Sequence, residues 1–273
     1  MTHINEGENM RAQIQAAKRI VIKIGTSSLT HENGRIDLEK MDRLARVLTD
    51  LNNAGKEIML VSSGAINAGM QRIGRSKRPD DLPLKQATAA IGQGILMKMY
   101  EKFFEEYNQV IAQILLTKDV IEDEIKKTNA KNTFETLIDL GVIPIINEND
   151  CISTSEIDGY RFGDNDTLSA TVARLVEADL LVLLSDIEGL YTANPKVDPT
   201  AKLIPVVEEI TPEIELLAGD AGTTMGTGGM TTKIIAAKIA KSAGSHTVIA
   251  SAADISVLRD ILKGEAVGTW FKA

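Results

Sequence analysis

Hydrophobic positions in this chain fall into two alternating patterns. Short, nearly unbroken apolar runs occur at RIVIKI (19–24), EIMLVS (57–62), VIAQILL (110–116), VIPIIN (142–147), LLVLLS (180–185) and TVIA (247–250). Such β-branched and leucine runs predict strands covered on both faces, as parallel sheets require. Between them, apolar residues recur at helical spacing and predict helices over 37–54, 64–72, 83–107, 128–140, 165–177, 230–243 and 254–263. A βαβα rhythm of this kind predicts an α/β fold, a three-layer α/β/α sandwich around a mainly parallel sheet. Segments 151–163 and 186–228 read as irregular insertions. Residues 1–18 read as an extension, frayed at first and helical near Met10, ahead of a single domain over 19–273.

Composition narrows the function without naming it. The chain has 273 residues, 44% of them hydrophobic and 4% aromatic, so its core rests on aliphatic side chains. A formal charge of −8 argues against a nucleic-acid partner, because backbone affinity depends on an excess of Lys and Arg. One cysteine, Cys151, excludes an intramolecular disulfide and a cysteine-based zinc cluster, and fits a reducing cytoplasm. No apolar run approaches the roughly 18–20 residues of a membrane span, and the opening segment lacks the apolar stretch of a signal peptide.

Ligands of parallel sheets gather at the carboxyl ends of the strands, which directs attention there. After the first strand comes KIGTS (23–27): Lys23 either snorkels outward or stands beside a nest of amides at Gly25 and its neighbours. After the second comes SSGAI (62–66), where Ser62 or Ser63 caps a helix, or where Ser63 and Gly64 leave free amides for an anion. After the fourth comes NEND (147–150), more polar groups than a turn needs, with Asp150 suited to an ammonium and Asn147 to a backbone or substrate bridge. GDND (163–166) opens a helix with Asp164 as cap. Its carboxylates, flanking Asn165, suit a water-bound Mg2+ or the orientation of lysines. Ser185 and Asp186 end the fifth strand and fit either a nucleotide pocket or an ordinary turn.

GTGGMTTK (226–233) ends in lysine but breaks the P-loop rule, since Thr232 precedes Lys233 and Ile234 follows it. Two lysines, Lys23 and Lys233, thus stand beside glycine-rich strand–helix junctions, and phosphoryl transfer mainly asks a protein to position reactants and neutralise charge. His3, His31 and His246 all lie away from the strand ends. A hydroxyl acceptor needs a base to take its proton. A carboxylate is already ionised at neutral pH, so the pattern suits a carboxylate nucleophile and an acyl phosphate product.

VIKIGTSSLT (21–30), VSSGAINAG (61–69), INENDC (146–151), FGDNDTLSA (162–170), LLSDIEGLYTANP (183–195) and GTGGMTTKIIAAKIA (226–240) together resemble the amino acid kinase family, in its glutamate 5-kinase branch. The resemblance spans about residues 20–270 in order. It implies an acceptor site in the N-terminal part and an ATP site over about 175–273. It implies that Lys23 and Lys233 flank the transferring phosphoryl group, with Asp166 orienting them. Ser63, Gly64, Asn147, Asp150, Asp164 and Asn165 would hold L-glutamate. Gly25, Ser185, Asp186, Thr227, Gly228, Gly229, Met230, Thr231 and Thr232 would meet the nucleotide beside the two lysines. Mg2+ would be carried by the ATP phosphates with no direct protein ligand, proline would inhibit, and two or four copies would assemble. Acetylglutamate kinase, aspartokinase, UMP kinase and a silent nucleotide sensor are the alternatives. Two departures from the family stand out: no RNA-modification-type domain follows GTWFKA (268–273), and the segment EIDGYRF (156–162) runs longer than expected.

Overall fold

The computed structural model describes residues 11–75, 79–152, 164–219 and 229–273. All six apolar runs are strands: β1 (Arg19–Ile24), β2 (Glu57–Ser62), β3 (Ile111–Leu116), β4 (Ile143–Glu148), β5 (Leu180–Ser185) and β7 (His246–Ser251). Two short strands, β6 (Val206–Val207) and β8 (Thr269–Phe271), extend the sheet to the order β3-β4-β2-β1-β5-β7-β8-β6. The pairings are parallel apart from β7 with β8. Among the described residues the α-helices are α1 (Ala12–Ala16), α2 (Leu38–Asn53), α3 (Ala65–Arg72), α4 (Leu82–Glu105), α5 (Asp119–Glu122), α6 (Glu124–Asp139), α7 (Asn165–Leu175), α8 (Pro212–Gly219), α9 (Met230–Lys241) and α10 (Val257–Leu262), and a 3-10 turn spans Thr26–Leu29.

The departures from the sequence pattern have local causes. Strands β6 and β8 hold two and three residues, too few for a period to be visible, and both β6 and α8 lie in the stretch read as irregular. Helix α6 starts four residues early because the Asp123 carboxylate accepts the Ile125 and Lys126 amides at 2.9 and 3.0 Å. The last helix is shorter than expected: Asp254 bonds the Ser256 amide at 3.0 Å and makes a turn where a helical turn was expected. The helix expected near Met10 is α1, and Met10 itself lies outside the described residues.

Strand alternation assigns side chains to two layers. Ile20, Ile22 and Ile24 of β1 pack with Leu44 and Leu48 of α2, Leu96, Tyr100 and Phe104 of α4, and Leu258 of α10. Val21 of β1 faces the opposite layer, with Leu168 and Val172 of α7, Ile234 and Ala237 of α9, and Phe134 of α6. Lys23 therefore shares its face with α7 and α9. Order reverses between β1 and β5, so the crevice at their carboxyl ends is the fold's switch point.

Helices α3 and α4 cross at unusually close range. A Cβ on Gly69 would lie 1.9 Å from the Thr88 carbonyl oxygen, and one on Gly92 would lie 1.7 Å from that of Ala65. Only glycine at both positions allows this approach. The crossing fixes α4 against the start of α3, which is the end of the strand-end loop SSG.

Candidate active site

Asp166, in the first turn of α7, is wholly buried, yet it is ionised by its surroundings. The Lys23 ammonium lies 2.6 Å from Oδ1, and the Lys233 ammonium lies 3.0 Å from Oδ2. Lys23 and Lys233 are themselves 7% and 3% exposed, so three charges are withdrawn from water together. Burial alone would raise the Asp166 pKa. Lys23 and then Lys233 outweigh it and hold the carboxyl below its ordinary range. Snorkelling of Lys23 is thereby corrected: the side chain turns inward because a carboxylate waits on the same face.

Lys233 is the fourth residue of α9, and Thr232 beside it donates its hydroxyl to Asp166 Oδ2 at 2.9 Å, with the Gly229 carbonyl as alternative acceptor at 2.7 Å. Thr232 thus faces the carboxylate. Thr231 is exposed and reaches the Ala218 carbonyl at 3.4 Å, while Met230 is buried at the helix start. Thr227 and Gly228 lie outside the described residues, as does segment 156–162.

Among the described residues, the Asp166 carboxylate meets both ammoniums. Both helices that carry the cluster, α7 and α9, begin at this edge of the sheet, and α9, without a side-chain cap among the described residues, adds the positive potential of its first amides. The arrangement attracts an anion.

A second group of residues forms beside it. Asn147, the last residue of the apolar run 142–147, is inside β4 and buried, as is Glu148, one residue beyond that run; only Asn149 and Asp150 follow the strand. Asn147 donates its amide N–H to Gln93 Oε1 at 2.9 Å, and its own Oδ1 accepts from Asn165 Nδ2 at 3.1 Å. Asp164 caps α7 as expected, accepting the Asp166 amide at 3.1 Å through Oδ1, and its Oδ2 is buried with no partner among the described residues. Neither Ser62 nor Ser63 caps α3. Gly64 does, at φ +115, a conformation that favours glycine, and it leaves the first amides of the helix without a side-chain acceptor. Ser63 bonds the Thr26 hydroxyl at 3.1 Å, which ties the ends of β1 and β2 together beside Gly25. Ser62 turns to the other layer and bonds the buried Tyr100 hydroxyl of α4 at 2.6 Å. Burial pushes the Tyr100 pKa up.

On the β5 side, Ser185 is buried and bonds Asp186 at 3.1 Å, while Asp186 is exposed. The pair sits at the carboxyl end of β5, the strand beside β1. Gln93 and Tyr100 were not singled out from sequence. Gln93 could have been: it stands on an apolar stripe with Ala89, Leu96 and Tyr100, where an amide is out of place unless it has a partner.

Comparisons agree with this geometry. Residues 18–251 match the amino acid kinase family. A Clostridium tetani protein, "Glutamate 5-kinase", is 53% identical over 97% of this chain and 98% of its own length. A Carboxydothermus hydrogenoformans protein of the same name is 57% identical over 96% of this chain and 70% of its own length. Among solved structures, a carbamate kinase from Giardia lamblia bound to AMP-PNP superposes with TM-score 0.67 at 18% identity, covering 94% of this chain and 99% of that one. A UMP kinase from Bacillus anthracis gives 0.62 at 17% identity, covering 94% and 96%. At that identity these two speak for the fold alone. The chain belongs to the amino acid kinase family and, within it, to the glutamate 5-kinases.

Proposed function

We propose that this chain transfers the γ-phosphoryl group of ATP to the side-chain carboxylate of L-glutamate, giving L-glutamyl 5-phosphate and ADP, the first step from glutamate toward proline. The observation that carries the reading is the buried Lys23–Asp166–Lys233 cluster, which gathers two ammoniums on one carboxylate at the fold's ligand edge. Relatives of the same name at about half identity over nearly the whole chain support the choice of acceptor.

The reaction moves no proton. A glutamate carboxylate oxygen forms a bond to the γ-phosphorus, and the bond from that phosphorus to the β,γ-bridging oxygen breaks, with its electron pair leaving on ADP. The two ammoniums offset charge on the equatorial oxygens of a loose transition state, and Asp166 keeps them apart and aimed. Up to about residue 175 the chain supplies the acceptor side: Ser63 and the free amides after Gly64 suit the substrate carboxylate, while Asp150, Asp164, Asn147 and Asn165 suit its ammonium and the surrounding polar contacts. The remainder supplies the nucleotide side, with Gly25 reaching across from β1: Ser185, Asp186, Gly229, Met230, Thr231 and Thr232, with Thr227 and Gly228 in the loop before α9. Mg2+ fits as a partner of the ATP phosphates, because Asp166 is already occupied by lysines; Asp164, whose buried Oδ2 has no hydrogen-bond partner among the described residues, would hold it through water, and the ion would supply neutralisation of phosphate charge. Proline as an inhibitor of the acceptor site, a homo-oligomeric assembly and a cytoplasmic setting complete the reading. No described helix is long and apolar enough to cross a membrane.

Hydroxylamine trapping of the acyl phosphate, with Mg-ATP and a panel of glutamate, aspartate and N-acetylglutamate, tests the assignment. Hydroxamate from glutamate is expected; hydroxamate from N-acetylglutamate alone would overturn it. Proline added to the same assay should lower the rate.

A further inference from the structure

Helix α4 passes behind the acceptor side of the site and touches it twice from one face, at Gln93 and, seven residues on, at Tyr100. Tyr100 meets Ser62 at the end of β2. Gln93 meets Asn147 at the end of β4, and this second contact carries direction as well as position. Each amide has an acceptor end and a donor end, and a chain of amides fixes the sense of every member. Gln93 is 7% exposed and gives its Oε1 to the Asn147 N–H. That contact forces Asn147, 4% exposed, to turn its Oδ1 toward Asn165, where it accepts an N–H. Asn165 is then left with an acceptor, Oδ1, which has no partner among the described residues. Asn165 is half-buried at the opening of α7, next to the residue that binds both lysines.

The relay also crosses the sheet. Gln93 belongs to the layer of α4, Asn147 lies on the strand edge, and Asn165 begins a helix of the opposite layer. Its origin is rigid, since Gly92 is pinned by the close crossing with α3.

We propose that Gln93 is a positioning residue for the acceptor: through Asn147 it orients the Asn165 amide so that Oδ1 receives a hydrogen bond from the free α-ammonium of the substrate. The inference rests on the glutamate reading above. An ammonium donates only, so a reversed Asn165 would present it with N–H groups and repel it. Turning the relay around therefore weakens acceptor binding without touching the phosphate side.

The test compares Gln93→Met and Gln93→Glu with the parent, using glutamate and glutarate, which lacks the amine, as acceptors. Gln93→Met keeps the volume and removes the acceptor; KM for glutamate should rise about tenfold, the usual effect of losing a charge-assisted hydrogen bond, with KM for ATP unchanged. KM for glutarate should not move. Gln93→Glu retains an acceptor oxygen facing Asn147, and its KM for glutamate should stay within about threefold of the parent. Should Gln93→Met fail to fold, Gln93→Asn, which withdraws the amide by one methylene, takes its place. An unchanged glutamate KM in a folded Gln93→Met protein, or equal rises for glutamate and glutarate, overturns the proposal. A parent that yields no hydroxamate from glutamate overturns the function instead, so the two failures are distinguishable.

Discussion

Strand β1 carries a cation at each end, and the two ends of the molecule use theirs in opposite ways. At the amino end, Arg19 donates to Glu57 at 2.7 Å, to both oxygens of Glu135 at 2.7 and 2.8 Å, and to the Val176 carbonyl at 2.7 Å. Lys18 joins Glu57 at 2.7 Å, so two cations meet two carboxylates. At the carboxyl end, Lys23 shares a single carboxylate with Lys233, and the carboxylate is fully buried. The first cluster is balanced, saturated and partly wet; in the second, both described ammoniums meet one carboxylate and all three groups are dry. A balanced cluster has no further use for an anion. Ammoniums gathered on a buried carboxylate at the ligand edge act where low dielectric magnifies their pull on an anion. Burial and place at the ligand edge, more than the presence of lysine, separate a site from a brace.

That contrast can be broken at several points, and the largest effect is expected at its centre. Asp166→Ala leaves two buried ammoniums facing each other. Turnover should vanish, and stability should fall by about 3–5 kcal/mol, the usual result of stripping one partner from a buried ion pair. Denaturant titration and the hydroxamate assay read the two losses. Lys233→Ala is gentler on the fold, because Asp166 keeps Lys23 at 2.6 Å. Its kcat should drop by about 10²–10³-fold, in line with loss of one transition-state charge contact, while the melting temperature stays within a few degrees. Equal losses of stability in the two variants would erase the distinction between clamp and scaffold.

Arg19→Met reverses the outcome. It should lower stability by about 1–3 kcal/mol, because Glu57 and Glu135 lose hydrogen bonds and the Val176 carbonyl loses its donor. Turnover should remain near the parent value.

The smallest effect is in acid. Asp166 has its folded pKa held below the ordinary value of about 3.9. Glu57 is likewise lowered: burial opposes ionisation, but Lys18 and Arg19 more than offset it. A lowered folded pKa contributes stability above the unfolded pKa and loses it as pH falls through the folded one. Unfolding should therefore become steeply easier below about pH 4, and Glu57→Gln should flatten that slope with kcat at neutral pH unchanged.

Much of this was readable in the chain. The six apolar runs carry their own strand signal, since a strand covered on both faces must be apolar throughout, and each is a strand. The polar residues after them follow from the parallel sheet, whose carboxyl ends collect ligands. Asp164 was legible as a cap because capping is local. Less was legible where the signal was short or non-local: β6 and β8 hold too few residues for a pattern, and Gln93 sits in a helix whose other residues pack like any core.

By itself, the sequence determined the alternation of strands and helices, the polar strand ends, the glycines that let α3 and α4 touch, and the family. The tertiary structure alone decided which charges meet. Lys233 and Asp166 stand 67 residues apart and are joined because β1 and β5 are neighbours while α7 and α9 share a face. Strand order also decided that Gln93 reaches Asn147 and, through it, Asn165. Local periodicity dictates which side of an element is apolar, but no local rule states which element lies next to it, and the chemistry of this site exists only in those adjacencies.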